Sequence, residues 1–185
     1  MVGGVPADIE RAMPVLKCMG TDTYLCGGPG MGHAMKLTNN VLATTFMVAN
    51  TEALAIGVKA GLKLELTMEV MMTTMAFNHQ LCVAIPKKAF EGDDSPGFAV
   101  KLADKDVRLA VELAKAYGFN ALVSRAAQES LDRAGRMGYA DRVVAALMKR
   151  GFQHHASLSI AACGLQTVRQ LRRPECAGKK RCTRP

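Results

Sequence analysis

The sequence contains no tryptophan, and aromatic residues make up only 5% of its 185 positions. Its hydrophobic core must therefore be built from Ala, Leu, Val and the twelve Met, a set of residues that favours helices. The six cysteines show no CxxC spacing and have no paired histidines, which argues against a zinc site. We predict reduced cytoplasmic thiols and no bound metal.

The sequence also lacks a signal peptide, because its first residues do not combine a basic start with an apolar run. The most apolar stretch, residues 41–49, is interrupted by Asn50 and Glu52. It falls well short of the roughly 20 residues that a membrane-spanning helix needs. We therefore predict a soluble, cytoplasmic protein with no membrane association.

Acidic residues are scarce only near the C-terminus. The net charge is +8, but residues 152–185 hold seven Lys or Arg and a single Glu, whereas the rest of the chain holds 17 basic and 15 acidic residues. A basic groove on the folded part is not expected, so we predict no nucleic-acid binding by it. The one-sided charge and weak amphipathicity of 152–185 are typical of a disordered or non-native tail.

The patterning of apolar residues predicts a mainly α fold. Residues 1–4 resemble the end of a strand, a helix follows from Pro6 to Met19, and residues 23–26 alternate like a short strand. A helix over residues 31–60 is apolar on nearly every face, which predicts burial at the centre of the domain or of a dimer. Further helices are expected over residues 66–77, 98–117, 122–136 and 141–148, with a loop at 91–97.

A glycine cluster directly precedes the long helix, in the segment CGGPGMGHAMKLTNN at residues 26–40. Neither the P-loop nor the GxGxxG dinucleotide motif fits, because Lys36 is flanked by Met and Leu and the glycines are spaced two apart. Lys36 and Asn40 are four residues apart and so share a helix face. A lysine on a buried helix is costly to charge, so Lys36 is suited to take or give a proton.

The stretch GMGHAMKLTNN resembles the GxGxxxKxxxN signature of the beta-hydroxyacid dehydrogenases, a family that includes 3-hydroxyisobutyrate dehydrogenase and tartronate semialdehyde reductase. Residues 98–114 resemble a later family helix that carries a Lys-Asp pair, here Lys105 and Asp106. The opening MVGG and the segment VLKCMG resemble the end of the family's Rossmann domain. Together these similarities cover about residues 1–150.

The resemblance implies a 6-phosphogluconate dehydrogenase C-terminal-like helical domain over residues 29–151. Residues 1–28 would be a βαβ remnant of a truncated NAD(P)-binding Rossmann domain, and 152–185 the basic tail. The implied activity is NAD- or NADP-dependent oxidation of a small 3-hydroxy acid to a semialdehyde, or the reverse. Separately, the apolar surface of the helix at 31–60 predicts that the chain forms a homo-oligomer. The implied roles are general acid/base for Lys36, substrate binding for Gly30, Gly32 and Asn40, and cofactor binding for Lys105 and Asp106.

The chain departs from the family at both ends. The family's cofactor fingerprint and glycine-rich substrate loop are missing before Met1, so we expect this fragment to be inactive alone, and the tail after residue 150 is unrelated in character. A shifted reading frame or a truncated gene copy would explain both ends. Two rival interpretations are a non-catalytic helical dimerisation module and a basic protein that associates with nucleic acid through its tail. Lys36 favours enzyme ancestry over both.

Overall fold

The structure, a computed structural model, describes residues 1–87 and 97–142, and this part of the chain is mainly helical. The predicted loop at 91–97, the helix expected to end at residue 148 and the tail at 152–185 lie wholly or partly outside the described residues. The elements are α1 (Pro6–Met19), α2 (Met31–Lys59), α3 (Leu64–Thr73), a first π-helical segment (Gln80–Ala84), α4 (Val100–Ala116), α5 (Leu122–Ala134) and a second π-helical segment (Gly135–Tyr139).

The first two helices have the predicted bounds. Helix α1 begins with Pro6, whose missing N–H is no loss at the first helical position, and the chain is extended again at Gly20. Helix α2 follows Gly30, which has a φ of 86°, and ends just before Gly61, which has a φ of 94°. Glycine is favoured at both positions because other residues are strained at positive φ.

The later helices are shorter than predicted. Helix α3 ends at Thr73 rather than near Phe77, because Thr74 is extended, with φ −111° and ψ −165°. Helix α5 ends at Ala134, and the chain then widens into a π-helical turn that contains Gly138 at a φ of 88°. Helix α4 loses about two residues at its start and one at its end relative to the prediction.

Helix α2 is the central element and packs against α3, α4, α5 and the first π-helical segment, while α4 and α5 pack against each other. Helices α2 to α5 each contribute buried residues at spacings of three or four, which places them on one face. The core consists of Met47, Val48, Leu54, Leu64, Met68, Leu81, Ile85, Val100, Ala103, Val107, Ala127, Leu131 and Ala134.

Helix α2 is not buried on every face within this chain, so burial at the centre of the domain, one of the two predicted alternatives, is not found; burial in a dimer stays a prediction. Leu42, Phe46 and Ile56 are 56%, 39% and 68% exposed, because α3, α4 and α5 cover only the opposite face of the helix. By length and apolar composition alone, α2 would qualify as a membrane span. Core helices of soluble proteins meet the same criterion, so this finding is weak evidence for a membrane.

The predicted N-terminal strands are reduced to a single parallel bridge between Val2 and Leu25, with α1 between them. Two backbone hydrogen bonds hold the bridge: Val2 N–H donates to the Tyr24 carbonyl at 2.8 Å, and Cys26 N–H donates to the Val2 carbonyl at 2.7 Å. Two short segments have no further strand to pair with in the described part of the chain. Isolated strand pairs are too weakly stabilised to extend.

A reciprocal amide pair joins α2 to the segment that follows α3. Asn50 is buried and exchanges side-chain hydrogen bonds with Asn78 at 2.9 and 3.0 Å. The Asn78 oxygen also accepts the Leu81 backbone N–H at 3.0 Å, at the start of the first π-helical segment. The pair therefore fixes that segment on α2.

Replacing Asn50 by alanine is expected to lower the free energy of unfolding by about 1–3 kcal/mol, because Asn78 loses a partner inside the protein. Chemical denaturation measures this loss. The control is Asn39→Ala, at an exposed position of the same helix, which should change the free energy of unfolding by about 0.5 kcal/mol or less. Equal effects of the two substitutions would contradict the role given to the amide pair.

Candidate active site

Lys36 and Asn40 lie one turn apart near the start of α2, and both reach the same carboxylate oxygen. The Lys36 ammonium donates a hydrogen bond to Oδ2 of Asp106, with which it also forms an ion pair. The Asn40 amide nitrogen donates to the same oxygen at 2.7 Å. Asp106 belongs to α4, so the two packed helices bring together residues that are 70 and 66 positions apart.

Asp106 lies at the centre of this cluster. Its side chain is only 2% exposed, and Lys105 Nζ lies 3.1 Å from its second oxygen, Oδ1. A buried carboxylate is costly unless its oxygens have polar partners, and here two ammonium groups and one amide supply them. The cluster carries one net positive charge if both lysines are protonated.

Burial raises the pKa of Asp106, but the contacts with Lys36, Asn40 and Lys105 lower it by more, so the pKa of this carboxyl lies below its ordinary value. A carboxyl whose pKa is lowered by folding stabilises the folded state above its ordinary pKa. That contribution is lost as the pH falls through the lowered value. Asp106 is therefore ionised at neutral pH; its Oδ2 accepts hydrogen bonds from Lys36 and Asn40, and its Oδ1 lies in an ion pair with Lys105.

We expect the ¹³C carboxyl signal of Asp106 to titrate below the ordinary aspartate range, and Lys105→Met to raise that pKa because one ammonium neighbour is removed. NMR titration of the labelled chain measures both values. Lys101→Met is the matched control, since Lys101 lies one turn earlier on α4 and pairs with Asp141 at 2.5 Å. An Asp106 pKa at or above the ordinary value would contradict the described contacts.

Lys36 is not buried as predicted. Its side chain is 44% exposed, because Lys36 lies near the start of α2, before the first residue that this helix contributes to the core. Half-exposure leaves the ammonium open to a substrate and to water on the other side. A group that exchanges protons with substrate needs this kind of access.

The two predicted substrate-binding glycines have local structural reasons to be glycine. Gly30 has a φ of 86°, at the residue directly before α2. A methyl group on Gly32 would lie 2.9 Å from the backbone nitrogen of Gly3 and 3.1 Å from the Met1 carbonyl oxygen, so no larger residue fits. Their contact with substrate stays a prediction.

Lys105, predicted to contact the cofactor, is 48% exposed beside Asp106. Asp106, predicted to do the same, is buried and has Lys36, Asn40 and Lys105 as its neighbours. The structure thus gathers Lys36, Asn40, Lys105 and Asp106 into one cluster, with Gly32 one turn away on α2. No pattern in the sequence indicates that Asp106 would join Lys36 to α4. Across residues 1–87 and 97–142, no group of three metal-ligating side chains is found.

Residues 30–150 match the family model described as the NAD-binding domain of NADP-dependent 3-hydroxyisobutyrate dehydrogenase. This match covers well over half of the chain. The chain belongs to the beta-hydroxyacid dehydrogenase family. The predicted resemblance to this family is confirmed. The predicted cofactor class, NAD or NADP, is also confirmed at the level of the family.

Three relatives illustrate the match. The 3-sulfolactaldehyde reductase of Escherichia coli is 34% identical over 114 residues, which cover 62% of this chain and 38% of that enzyme. The NAD-dependent L-serine dehydrogenase of Pseudomonas aeruginosa is 31% identical, with coverage of 80% and 52%. The solved Mycobacterium tuberculosis 3-hydroxyisobutyrate dehydrogenase with L-serine superposes with a TM-score of 0.73 at 27% identity, with coverage of 81% and 53%. The chain thus spans about half, or less, of the length of these relatives.

Proposed function

We propose that this chain is the helical half of an NAD(P)-dependent 3-hydroxyacid dehydrogenase, which oxidises a small 3-hydroxy acid to a semialdehyde or catalyses the reverse reduction. The observation that carries the proposal is the half-exposed Lys36 ammonium, held with Asn40 on one buried carboxylate, Asp106. A purely structural helix has no need for this arrangement. The family membership supports the reaction class.

In the proposed reduction, the Lys36 ammonium donates its proton to the substrate carbonyl oxygen as that oxygen becomes an alcohol. In the oxidation, the Lys36 amine takes the hydroxyl proton. The cofactor supplies or accepts the hydride. Asn40 lies one turn further along the same face. It is proposed to hold the substrate, with Gly30 and Gly32 as further substrate-binding residues.

Asp106 is a positioning residue in this mechanism. It is too deeply buried to meet the substrate. Its Oδ2 contacts Lys36 and Asn40, and its Oδ1 lies beside Lys105. Its carboxylate directs the Lys36 and Asn40 side chains and offsets part of the positive charge of the two lysines. Holding a proton donor in the geometry that the reaction needs supplies much of the rate enhancement that the donor gives.

The described residues fit a dinucleotide only in part. Lys105 is a half-exposed ammonium next to the Lys36 site, so it fits as a contact for the cofactor near its reacting end. The segment of residues 1–28 offers only a single β-bridge and a helix without buried residues, which is too little to cradle a dinucleotide. We therefore propose that residues 1–28 are the βαβ end of a Rossmann domain and that 29–151 form a 6-phosphogluconate dehydrogenase C-terminal-like domain.

The test of this proposal uses the chain with part of the dinucleotide-binding domain of the L-serine dehydrogenase relative joined before Met1, namely the part that precedes the segment corresponding to residues 1–28. This protein is called the completed enzyme below. We expect the completed enzyme to oxidise NAD(P)H with a small semialdehyde, measured at 340 nm, and the chain alone to show no turnover. The substrates tested are 3-hydroxy acids and the matching semialdehydes. A completed enzyme that binds NAD(P)H but turns over none of them would refute the proposal.

The exposed face of α2 favours self-association. We propose that the chain self-associates and is also part of an enzyme. Self-association by itself would also suit a dimerisation module. Its apolar residues recur at alternating spacings of four and three, as in a coiled-coil seam. They are Leu42, Phe46, Ala49, Ala53 and Ile56. The partner proposed is a second copy of this chain, in the cytoplasm.

Light scattering at micromolar concentration is expected to show a dimer or larger homo-oligomer, because so much exposed apolar surface is rare on monomers. Phe46→Glu is expected to shift the chain towards monomer, since a charge in the middle of the α2 face opposes its burial. Val123→Glu is the matched control, at a position on α5 that is 69% exposed. A monomeric unaltered chain would contradict the proposal, as would equal effects of the two substitutions.

A further inference from the structure

Two glycines that are far apart in sequence touch through their backbones. A methyl group on Gly3 would lie 2.6 Å from the Gly28 carbonyl oxygen and 2.6 Å from the Gly32 nitrogen. A methyl group on Gly32 would in turn lie 2.9 Å from the Gly3 nitrogen. Every atom in these contacts belongs to the backbone, so no change of side-chain rotamer can relieve a clash. Only glycine permits the approach.

The approach of Gly3 to Gly32 joins the N-terminal unit, residues 1–28, to the helical body that begins with α2, whereas the approach to Gly28 lies within the unit. Within the unit, three backbone hydrogen bonds of 2.7 to 2.9 Å tie residues 2–4 to residues 24–27. Helix α1 buries no residue, so its side chains contribute little to holding the unit in place. The backbone contact of Gly3 with the first turn of α2 therefore holds the unit against α2, together with the chain connection through residues 29 and 30.

The contact is made on the face of α2 that carries the candidate active site. Gly32, Lys36 and Asn40 follow one another at intervals of four residues, so they lie on one face. One such interval spans about 6 Å along the helix. The N-terminal unit thus meets α2 one turn before Lys36.

We propose that Gly3 is a positioning residue that sets the distance between the N-terminal unit and Lys36. This inference rests on the proposed function, in which the N-terminal unit belongs to the cofactor-binding domain and Lys36 transfers the proton. A methyl group at position 3 forces the N-terminal unit away from α2. The cofactor-binding domain to which this unit is proposed to belong then moves away from Lys36. Misplacement of reacting groups by about 1 Å can slow a reaction by about 10²-fold.

The first experiment measures residual dipolar couplings of α1 and α2 in the chain itself. One alignment tensor should fit both helices in the unaltered chain and in Gly4→Ala, whose new methyl group meets only the Ile9 side chain at 3.4 Å. Gly3→Ala should need two tensors. The Asp106 titration should be the same in all three proteins, since its partners all lie in the helical body; this readout shows that the body remains folded.

The second experiment uses the completed enzyme. Gly3→Ala should lower kcat by about 10- to 100-fold without changing the cofactor Kd, whereas Gly4→Ala should match the unaltered enzyme. A general folding defect would instead change Kd and the Asp106 titration as well.

Unchanged alignment of α1 or unchanged kcat in Gly3→Ala would overturn the proposal. If Gly3→Ala does not fold, the residual dipolar couplings of the unaltered chain are the test. A single alignment tensor for α1 and α2 supports the proposal, and separate tensors overturn it. Failure of the proposed function is recognised separately, by a completed enzyme that binds NAD(P)H but turns over none of the substrates, and that outcome leaves the alignment result unaffected.

Discussion

Replacing Lys36 by alanine in the completed enzyme is expected to lower kcat by about 10²- to 10⁴-fold, the contribution that a positioned proton donor usually makes. The cofactor Kd should be nearly unchanged, because Lys36 faces the substrate in the proposed mechanism. Steady-state kinetics gives kcat and a fluorescence titration with NAD(P)H gives Kd. Separating the two distinguishes lost proton transfer from lost binding.

Three further lysine substitutions sharpen this test. Lys36→Arg should not restore activity, since a guanidinium stays protonated at neutral pH and cannot accept a proton. Lys105→Ala should mainly weaken cofactor binding. Lys101→Ala, which removes an exposed lysine paired with Asp141, should leave kcat unchanged. Normal turnover with alanine at position 36 would show that the catalytic assignment is wrong.

Asp106→Asn is expected to have the second-largest effect, a fall in kcat of about 10- to 100-fold, because Lys36 and Asn40 lose the carboxylate that directs them. The protein should also become less stable at neutral pH, and the difference from the unaltered chain should shrink as the pH falls. The sign follows from the lowered pKa of Asp106, whose ionised form stabilises the fold. Kinetics and denaturation at several pH values measure these effects.

Asp104→Asn is the matched control on the same helix, two residues earlier. Burial and the nearby Asp132 raise the pKa of Asp104, although Arg108 acts in the opposite direction. The ionised form of Asp104 therefore opposes folding, so this substitution should stabilise the protein at neutral pH and leave kcat unchanged. If Asp104→Asn slowed turnover as much as Asp106→Asn, the specific role of Asp106 would be contradicted.

The helix ends were predictable where glycine or proline marks them. Pro6 opens α1, and Gly30 and Gly61 bound α2 at positive φ, a conformation that few other residues adopt. Thr74 has no such preference, so the early end of α3 carried no signal in the sequence. The sequence also does not show which side of α2 is exposed, because a helix that is apolar on every face does not reveal which face its neighbours cover.

The candidate site was predictable only as far as neighbours on one helix allow. Lys36 and Asn40 share a face by their spacing, and the family signature singles them out. The partnership with Asp106 spans 70 residues and depends on how α4 packs on α2. In the sequence, Lys105 and Asp106 belong to a helix segment rich in charged residues. Such a segment does not indicate which of its carboxylates is buried. The Gly3 contact was hidden for the same reason, since a close approach between segments has no local pattern.

The most direct test of the proposed mechanism is kcat of the completed enzyme carrying both Lys36→Ala and Asp106→Asn. If Asp106 acts through Lys36, then removing the carboxylate costs nothing further once the ammonium is gone. The double variant should therefore have the kcat of Lys36→Ala alone, within about twofold. A double variant slower than Lys36→Ala by the full factor that Asp106→Asn causes alone would show that the two residues act independently, and would contradict the proposed role of the pair.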